Sequence, residues 1–430
     1  MKVSVFWFRR DLRLEDNHGL FQALRGEFPV LPLFIYDTDI LDQLEEKSDA
    51  RVQFIYDQIS KIHGQFQKKG SSILIKLGTP KEIFQDILQE FDVQAVYTNR
   101  DYEPYAKKRD GSVQKILQQK NIPFYTFKDQ VIFEPREIQN GAGEFYKVFT
   151  PYSKVWLSKF HTIQLEEYQP MQWKNLLQIK PLPTISLPEI GFTPSAIKIP
   201  PSTLDEDLIK SYDQSRDFPA QNGTSRMGIH LRFGTVSIRK VVNEAAQLNA
   251  TYLNELIWRE FYMMILDLNP HVVDRAFKPA YDRIPWRNDE QEFKAWCEGN
   301  TGYPIVDAGM RELNQTGYMH NRVRMVAASF LTKHLLIDWR WGEAYFAQKL
   351  LDYELASNNG SWQWAAGTGT DAQPYFRVFN PSAQQAKFDK NWKYIKKWIP
   401  EINTDKYPKP IVDHKFARQR AIDTYKSALA

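Results

Sequence analysis

The sequence predicts an α/β doubly wound parallel-sheet N-terminal domain followed by an all-helical C-terminal domain. Three observations predict it. Short apolar runs alternate with amphipathic stretches over residues 1 to 150. Seven prolines crowd residues 170 to 201, and beyond residue 204 the apolar residues recur at spacings of three and four.

In order along the chain, Val3–Phe8, Val30–Tyr36, Ser72–Leu77, Ala95–Asn99 and Pro123–Phe127 read as buried strands. Asn17–Arg25, Ala50–Lys69, Pro80–Glu90 and Tyr105–Lys120 read as the helices between them, the third opened by an N-cap threonine followed by Pro80. Strand and helix in alternation imply a parallel sheet, whose ligands lie at the strand carboxyl ends, here the loops after Phe8 and Asn99. No GxGxxG follows the first strand, which argues against a dinucleotide in the usual Rossmann pose. The expected division is an α/β domain over residues 1–150, a proline-rich connector over 151–203 and a helical domain over 204–430. The clearest helix of the last part carries Leu253, Leu256, Ile257, Phe261, Met264 and Ile265 on one stripe.

The totals exclude several classes. Hydrophobic content of 43% and charged content of 25% are those of a globular chain rather than a disordered one. One cysteine, Cys297, precludes an intrachain disulfide and suits a reducing compartment. The N-terminal apolar run is too short for a signal peptide, and no run reaches the roughly 20 residues that span a bilayer. A cytoplasmic protein is expected. The eight histidines show no ligand spacing, so no metal is expected. A net charge of +4 permits a nucleic-acid patch without demonstrating one. Nine of the twelve tryptophans lie at or after Trp258, which marks the C-terminal half as chemically distinct.

The most unusual segment runs from Ser357 to Pro381. It places Trp362 and Trp364 among Asn, Gly and small residues and is poor in large aliphatics, unlike a helix built for core packing. Two residues apart on a helix, the two indoles face nearly opposite ways, so one could serve a cofactor and the other a substrate. Glu255 and Trp258 share a helix face, as a pocket wall or as a core tryptophan with a carboxylate at its edge. Asn321 and Met325 also share a face, with Arg322 and Arg324 turned elsewhere, which suits either a phosphate-pinning cleft or an exposed basic helix. Gly223-Thr224-Ser225-Arg226-Met227 is a phosphate cradle or a simple N-cap. His320 reads as a satisfied structural histidine.

Taken together, Phe6-Trp-Phe-Arg-Arg-Asp-Leu-Arg-Leu14, Asn254-Glu-Leu-Ile-Trp-Arg-Glu-Phe-Tyr262, Thr301-Gly-Tyr-Pro-Ile-Val-Asp-Ala308 and the 357–381 segment resemble motifs of the photolyase/cryptochrome family over essentially the whole chain. The resemblance implies an antenna-type domain and a helical domain that holds one FAD, active in its reduced form. By matching position, Tyr212, Thr224, Ser225, Arg226 and Met227 would hold the phosphates and ribityl chain. Glu255, Arg324, Asp352 and Glu354 would lie near the flavin, and Asn358 would face flavin N5. Trp362, Trp339 and Trp286 match the family's electron relay. Trp258 and Trp364 match the walls of the lesion pocket, with Glu255, Asn321, Arg322 and Met325 as lesion contacts.

Asn321 and Met325 stand where (6-4) enzymes are expected to place two histidines. Neither can donate a proton as an imidazolium can, so the class I cyclobutane pyrimidine dimer enzymes are the nearer likeness. The implied function is light-driven splitting of a flipped-out dimer in UV-damaged DNA, with a cryptochrome-type photoreceptor as the alternative. A monomer with no obligate protein partner is expected. After Tyr102-Glu103-Pro104 comes Tyr105-Ala106 where folate-binding relatives have Asn-Glu. A deazaflavin- or flavin-type antenna is therefore expected before a folate, or an empty antenna site.

Overall fold

The computed structural model describes residues 1–169 and 173–430; Pro170, one of the seven prolines, lies outside them. Two compact units emerge, neither continuous in sequence. The first comprises residues 1–134, 160–203 and 227–244, and the second residues 135–159, 204–226 and 245–430.

The first unit is built on a five-stranded, wholly parallel sheet: β1 (Lys2–Phe8), β2 (Val30–Asp37), β3 (Leu74–Gly78), β4 (Asp92–Asn99) and β5 (Phe124–Phe127), in spatial order β3-β2-β1-β4-β5. β1 and β2 are buried nearly throughout because helices cover both faces, which is why they read as continuous apolar runs. Pro32 is tolerated in an inner strand because pairing with β3 begins only at Leu33↔Leu74. The helices α1 (His18–Leu24), α2 (Ala50–Gln67), α3 (Pro80–Glu90) and α4 (Pro104–Gln119) lie within two or three residues of their expected bounds. Asn17 caps α1 and Thr79 caps α3, each through its side-chain oxygen. β3 begins two residues later than expected and β4 three residues earlier, starting at Asp92.

Residues 173–192 of the proline-rich stretch pack into this unit. Leu177 N–H donates to the Val30 carbonyl, and Leu176, Leu187, Ile190 and Phe192 are buried with one face of the sheet. Proline removes ladder donors, but it does not stop the leucines and phenylalanine between from burying apolar area.

A buried ionic cluster ties this unit together. Asp129 accepts from Arg13 Nη2 at 2.8 Å and Arg239 Nη2 at 2.8 Å, and Asp16 accepts from Arg239 Nε at 2.9 Å and from the Ser237 hydroxyl. Burial alone would push the Asp129 carboxyl up, but the two guanidiniums hold it below the usual carboxylate range.

The second unit is helical. Its main helices are α5 (Phe149–Phe160), α6 (Ala250–Leu268), α7 (Pro304–Thr316), α8 (Asn321–Ser329), α9 (Trp339–Lys349), α10 (Leu355–Ala366) and α11 (His414–Leu429). Asn249 caps α6 by accepting from Thr251 and Tyr252 N–H. The core is formed by α7 to α10, with Trp296, Trp339 and Trp362 fully buried in it. No helix among the described residues is long and apolar enough to cross a membrane.

Asp129→Asn leaves two buried guanidiniums without their shared counter-charge and is expected to cost about 3–5 kcal/mol, read as a lower urea midpoint. In the wild type the contribution from Asp129 is present above the ordinary carboxylate pKa. It is lost as pH falls through the depressed value, so the difference between variant and wild type should shrink in acid.

Candidate functional site

Helix α10 carries the segment that stood out in the sequence, and it has no apolar stripe. Ala356, Asn358, Asn359, Trp362, Gln363, Ala365 and Ala366 are all buried, spread around the helix. Each buried amide must therefore find a partner. Asn359 Nδ2 and Gln363 Nε2 both donate to the Val272 carbonyl, at 2.8 and 2.9 Å. Asn358 Nδ2 donates to Glu343 Oε1 at 2.8 Å and to the Glu343 carbonyl at 3.1 Å. With both amide hydrogens committed to α9, the Asn358 oxygen is left as the group available to a ligand. Burial pushes the Glu343 carboxyl up to about 7, against a lowering by the Asn358 hydrogen bond. Nothing in the sequence singled out Glu343, because it lies fifteen residues from Asn358 and only helix packing brings them together.

Close packing sets the indoles. A Cβ at Gly342 would lie 2.1 Å from the Trp362 ring, so only glycine allows α9 to approach it. A Cβ at Gly360 would lie 2.2 Å from the Tyr262 ring, so α10 likewise needs glycine where α6 packs on it. Trp362 is buried and meets Phe346 edge-on at 5.0 Å and Trp296 at 6.0 Å. Trp339 is buried under the Arg340 guanidinium, and half-buried Trp286 meets Tyr425 edge-on at 5.9 Å. Trp364, two residues beyond Trp362, is half-buried, as opposite helix faces require. Trp258 on α6 stacks flat on Phe149 at 3.6 Å and 6°, a partner absent from the sequence reading.

Polar groups are arranged on α6, α8 and the loops. Glu255 Oε1 accepts from Arg216 Nη1 at 2.5 Å. Arg324 Nη2 donates to Asp352 Oδ2 at 2.9 Å, and Arg259 Nη2 to Glu354 at 3.1 Å. Asp352 Oδ1 is buried without a hydrogen-bond partner, an acceptor that a polar ligand group would satisfy. Thr224 and Ser225 share their hydroxyls with Tyr318 and Tyr252, at 2.9 and 3.0 Å. Arg226 is exposed with φ of 52° and lies over the Tyr318 ring at 4.5 Å. Tyr212 is buried edge-on to Tyr252 at 5.1 Å. Met227 is buried and belongs to the first unit.

On α8, Asn321 is exposed and Met325 half-buried, one turn apart. Arg322 pairs with Asp217 at 2.6 Å and lies 3.8 Å from the Met325 sulfur. His320 caps the helix by accepting from Arg322 N–H through Nδ1. Its Nε2 is buried without a partner, so the expectation of a satisfied histidine is met at one nitrogen only. Burial, with Arg324 and Arg322 nearby, lowers its pKa to about 4.

The chain thus combines a parallel α/β unit with a helical unit of buried tryptophans, clustered hydroxyls and a buried carboxylate oxygen without a partner. The model for "DNA photolyase" matches residues 4–172, and that for "FAD binding domain of DNA photolyase" matches residues 252–405. The deoxyribodipyrimidine photo-lyases of Escherichia coli and Vibrio cholerae are 38% and 36% identical, over 100% and 99% of this chain and 99% and 100% of their own. Among solved structures, an archaeal photolyase from Sulfolobus tokodaii with two FAD molecules superposes with a TM-score of 0.85 at 34% identity, covering 99% of this chain and 100% of that one. A cryptochrome from Synechocystis gives 0.86 at 25% identity, covering 99% of both. The chain belongs to the DNA photolyase family and carries that family's FAD-binding domain.

Glu343→Gln removes a carboxyl whose folded pKa is raised, and a raised acid binds more protons folded than unfolded between about 4.5 and about 7. Wild-type stability thus falls with rising pH across that window. The variant should gain on the wild type by on the order of 1 kcal/mol between pH 5 and 8, a figure discounted for partial exposure and checked by thermal melts.

Proposed function

We propose that the protein repairs UV-damaged DNA by light-driven splitting of cyclobutane pyrimidine dimers. The observation that carries this reading is the close contact of α6 and α10 through Tyr262 and Gly360, the two helices that bear Trp258 and Trp364. Reduced FAD, when bound, supplies the electron that cleaves the dimer's ring.

The chain's residues do the rest. Thr224, Ser225 and Arg226 would hold the cofactor's phosphates, with Tyr212 beside the ribityl chain. The unsatisfied Asp352 oxygen would accept from a donor on the cofactor, flanked by Arg324 and Glu354. Asn358, its amide pinned by Glu343, would offer its oxygen as an acceptor to the flavin and so favour a protonated N5. Trp258 and Trp364 recover part of the flipping cost by stacking, worth roughly 1–3 kcal/mol per base. Glu255, Asn321 and Met325 meet the dimer, and Arg322 binds flanking phosphate, making affinity salt-dependent. Trp362, Trp339 and Trp286 carry electrons inward from the surface. The absence of imidazole at Asn321 and Met325 favours cyclobutane dimers over (6-4) products.

The functional division follows the sequence reading: an antenna-type part over residues 1–150, a connector over 151–203 and the flavin- and lesion-binding part over 204–430. A monomer in the cytoplasm, with an antenna of flavin or deazaflavin type, completes the proposal.

Purified protein with reduced flavin should restore a thymine-dimer oligonucleotide under blue light; no restoration overturns the reading. Trp364→Ala should weaken dimer binding roughly 5- to 150-fold, the range that 1–3 kcal/mol of stacking implies, with flavin content unchanged. Trp286→Phe should slow photoreduction of oxidised enzyme, followed by absorbance, while chemically reduced enzyme repairs normally.

A further inference from the structure

The flat stack of Phe149 on Trp258 is part of a longer mechanical connection. Phe149 opens helix α5, where the first N–H groups have no intrahelical acceptor. Its N–H instead donates to Asp371 Oδ2 at 3.1 Å, a carboxylate reaching across 222 residues of sequence to the positive end of a helix. Two residues earlier, the Lys147 carbonyl accepts from the Thr370 hydroxyl. Asp371 holds φ of 45°, a left-handed conformation that a non-glycine residue keeps only when its surroundings enforce it.

Thr370 and Asp371 lie in the turn that leaves α10 just after Trp364. That turn is closed onto the helix end: Gly367, Thr368 and Gly369 N–H all donate to the Gln363 carbonyl, and Gln373 N–H returns to the Trp364 carbonyl at 3.3 Å. Lys278 N–H donates to the Thr368 carbonyl at 3.0 Å. One unbroken set of contacts therefore runs from Trp364 through 367–371 to 147–149 and onto the back of Trp258. Trp258 is further restrained by Phe261 edge-on at 5.6 Å and Tyr262 at 5.4 Å. Phe149 covers one face of its ring, and the lesion-pocket reading puts a base against the other.

We infer that Phe149, held by Asp371, is a positioning residue that fixes the plane of Trp258 and its distance from Trp364, and thereby the selectivity for a flipped dimer over undamaged DNA. The inference rests on the reading of Trp258 and Trp364 as the walls of the lesion pocket. Phe149 touches no reacting atom; it acts by denying the indole other orientations, so that no ordering cost falls due on binding.

The test uses full-length, flavin-loaded protein and four variants: Phe149→Leu, Phe149→Tyr, Asp371→Gly and Trp258→Ala. Glycine is chosen at 371 because it keeps the left-handed backbone while removing the carboxylate. Binding to a thymine-dimer oligonucleotide and to its undamaged counterpart is measured alongside flavin content and repair per bound dimer. Phe149→Leu and Asp371→Gly should each weaken dimer binding about 3- to 10-fold, the range expected for one lost aromatic contact. Affinity for undamaged DNA and flavin content should not change, and Phe149→Tyr should bind as the wild type does. Adding Phe149→Leu to Trp258→Ala should cost nothing more, since both act through one ring. Wild-type dimer affinity in Phe149→Leu while Trp258→Ala is impaired overturns the brace alone. Equal loss for damaged and undamaged DNA, or loss of flavin, also overturns it. Unchanged binding in Trp258→Ala overturns the lesion-pocket reading itself.

Discussion

Buried amides have to find hydrogen-bond partners, and α10 depends on that constraint more than any other element here. Asn358, Asn359 and Gln363 commit their amides to Glu343 and Val272, and together these bonds fix the rotation of the helix about its axis. Once that rotation is set, Trp362 must lie in the core against Phe346 and Trp296, and Trp364 must lie at its margin. The end of the helix is held in the same way. The Ala366 carbonyl accepts from Lys333 Nζ at 2.8 Å and Tyr425 Oη at 2.9 Å, and Gly367 turns the chain through φ of 86°.

Lys333 shows what this arrangement costs. It is almost fully buried, and burial drives its pKa well below the usual lysine range, a penalty offset by the Ala366 carbonyl and by the Tyr425 ring 3.6 Å away. An ammonium at the carboxyl end of a helix also meets the favourable end of its dipole. The same tyrosine packs edge-on against Trp286, so the C-terminal helix α11 both closes α10 and supports the outermost tryptophan of the proposed relay. Tyr425 thus links the closure of α10 to the placement of Trp286.

Much of the first unit could be read from the chain directly, because a parallel sheet needs apolar runs and capped helices, and both are local patterns. Thr79-Pro80 marks its helix start to the residue. In the second unit the helices were legible, as were the residue types of the site: two indoles, Asn358, and an α8 face without histidine. Their partners were not. Phe149 for Trp258, Glu343 for Asn358, Arg216 for Glu255 and Asp217 for Arg322 lie 15 to 109 positions away, and no spacing rule operates over that distance. In the proline-rich stretch, proline density concealed the apolar residues that pack it against the sheet at β2.

The sequence by itself determined the order and type of the elements, the family to which the chain is similar and the residue types of the proposed site. Each of these depends on residue identity and on periodicities of two or 3.6, which do not require knowledge of what lies opposite. Only the tertiary structure decided which face of Trp258 is covered, which way the Asn358 amide points and how the turn after Trp364 is tied back to α5. Those are choices among rotations and rotamers with similar local energies, and only contacts between distant segments can select one of them.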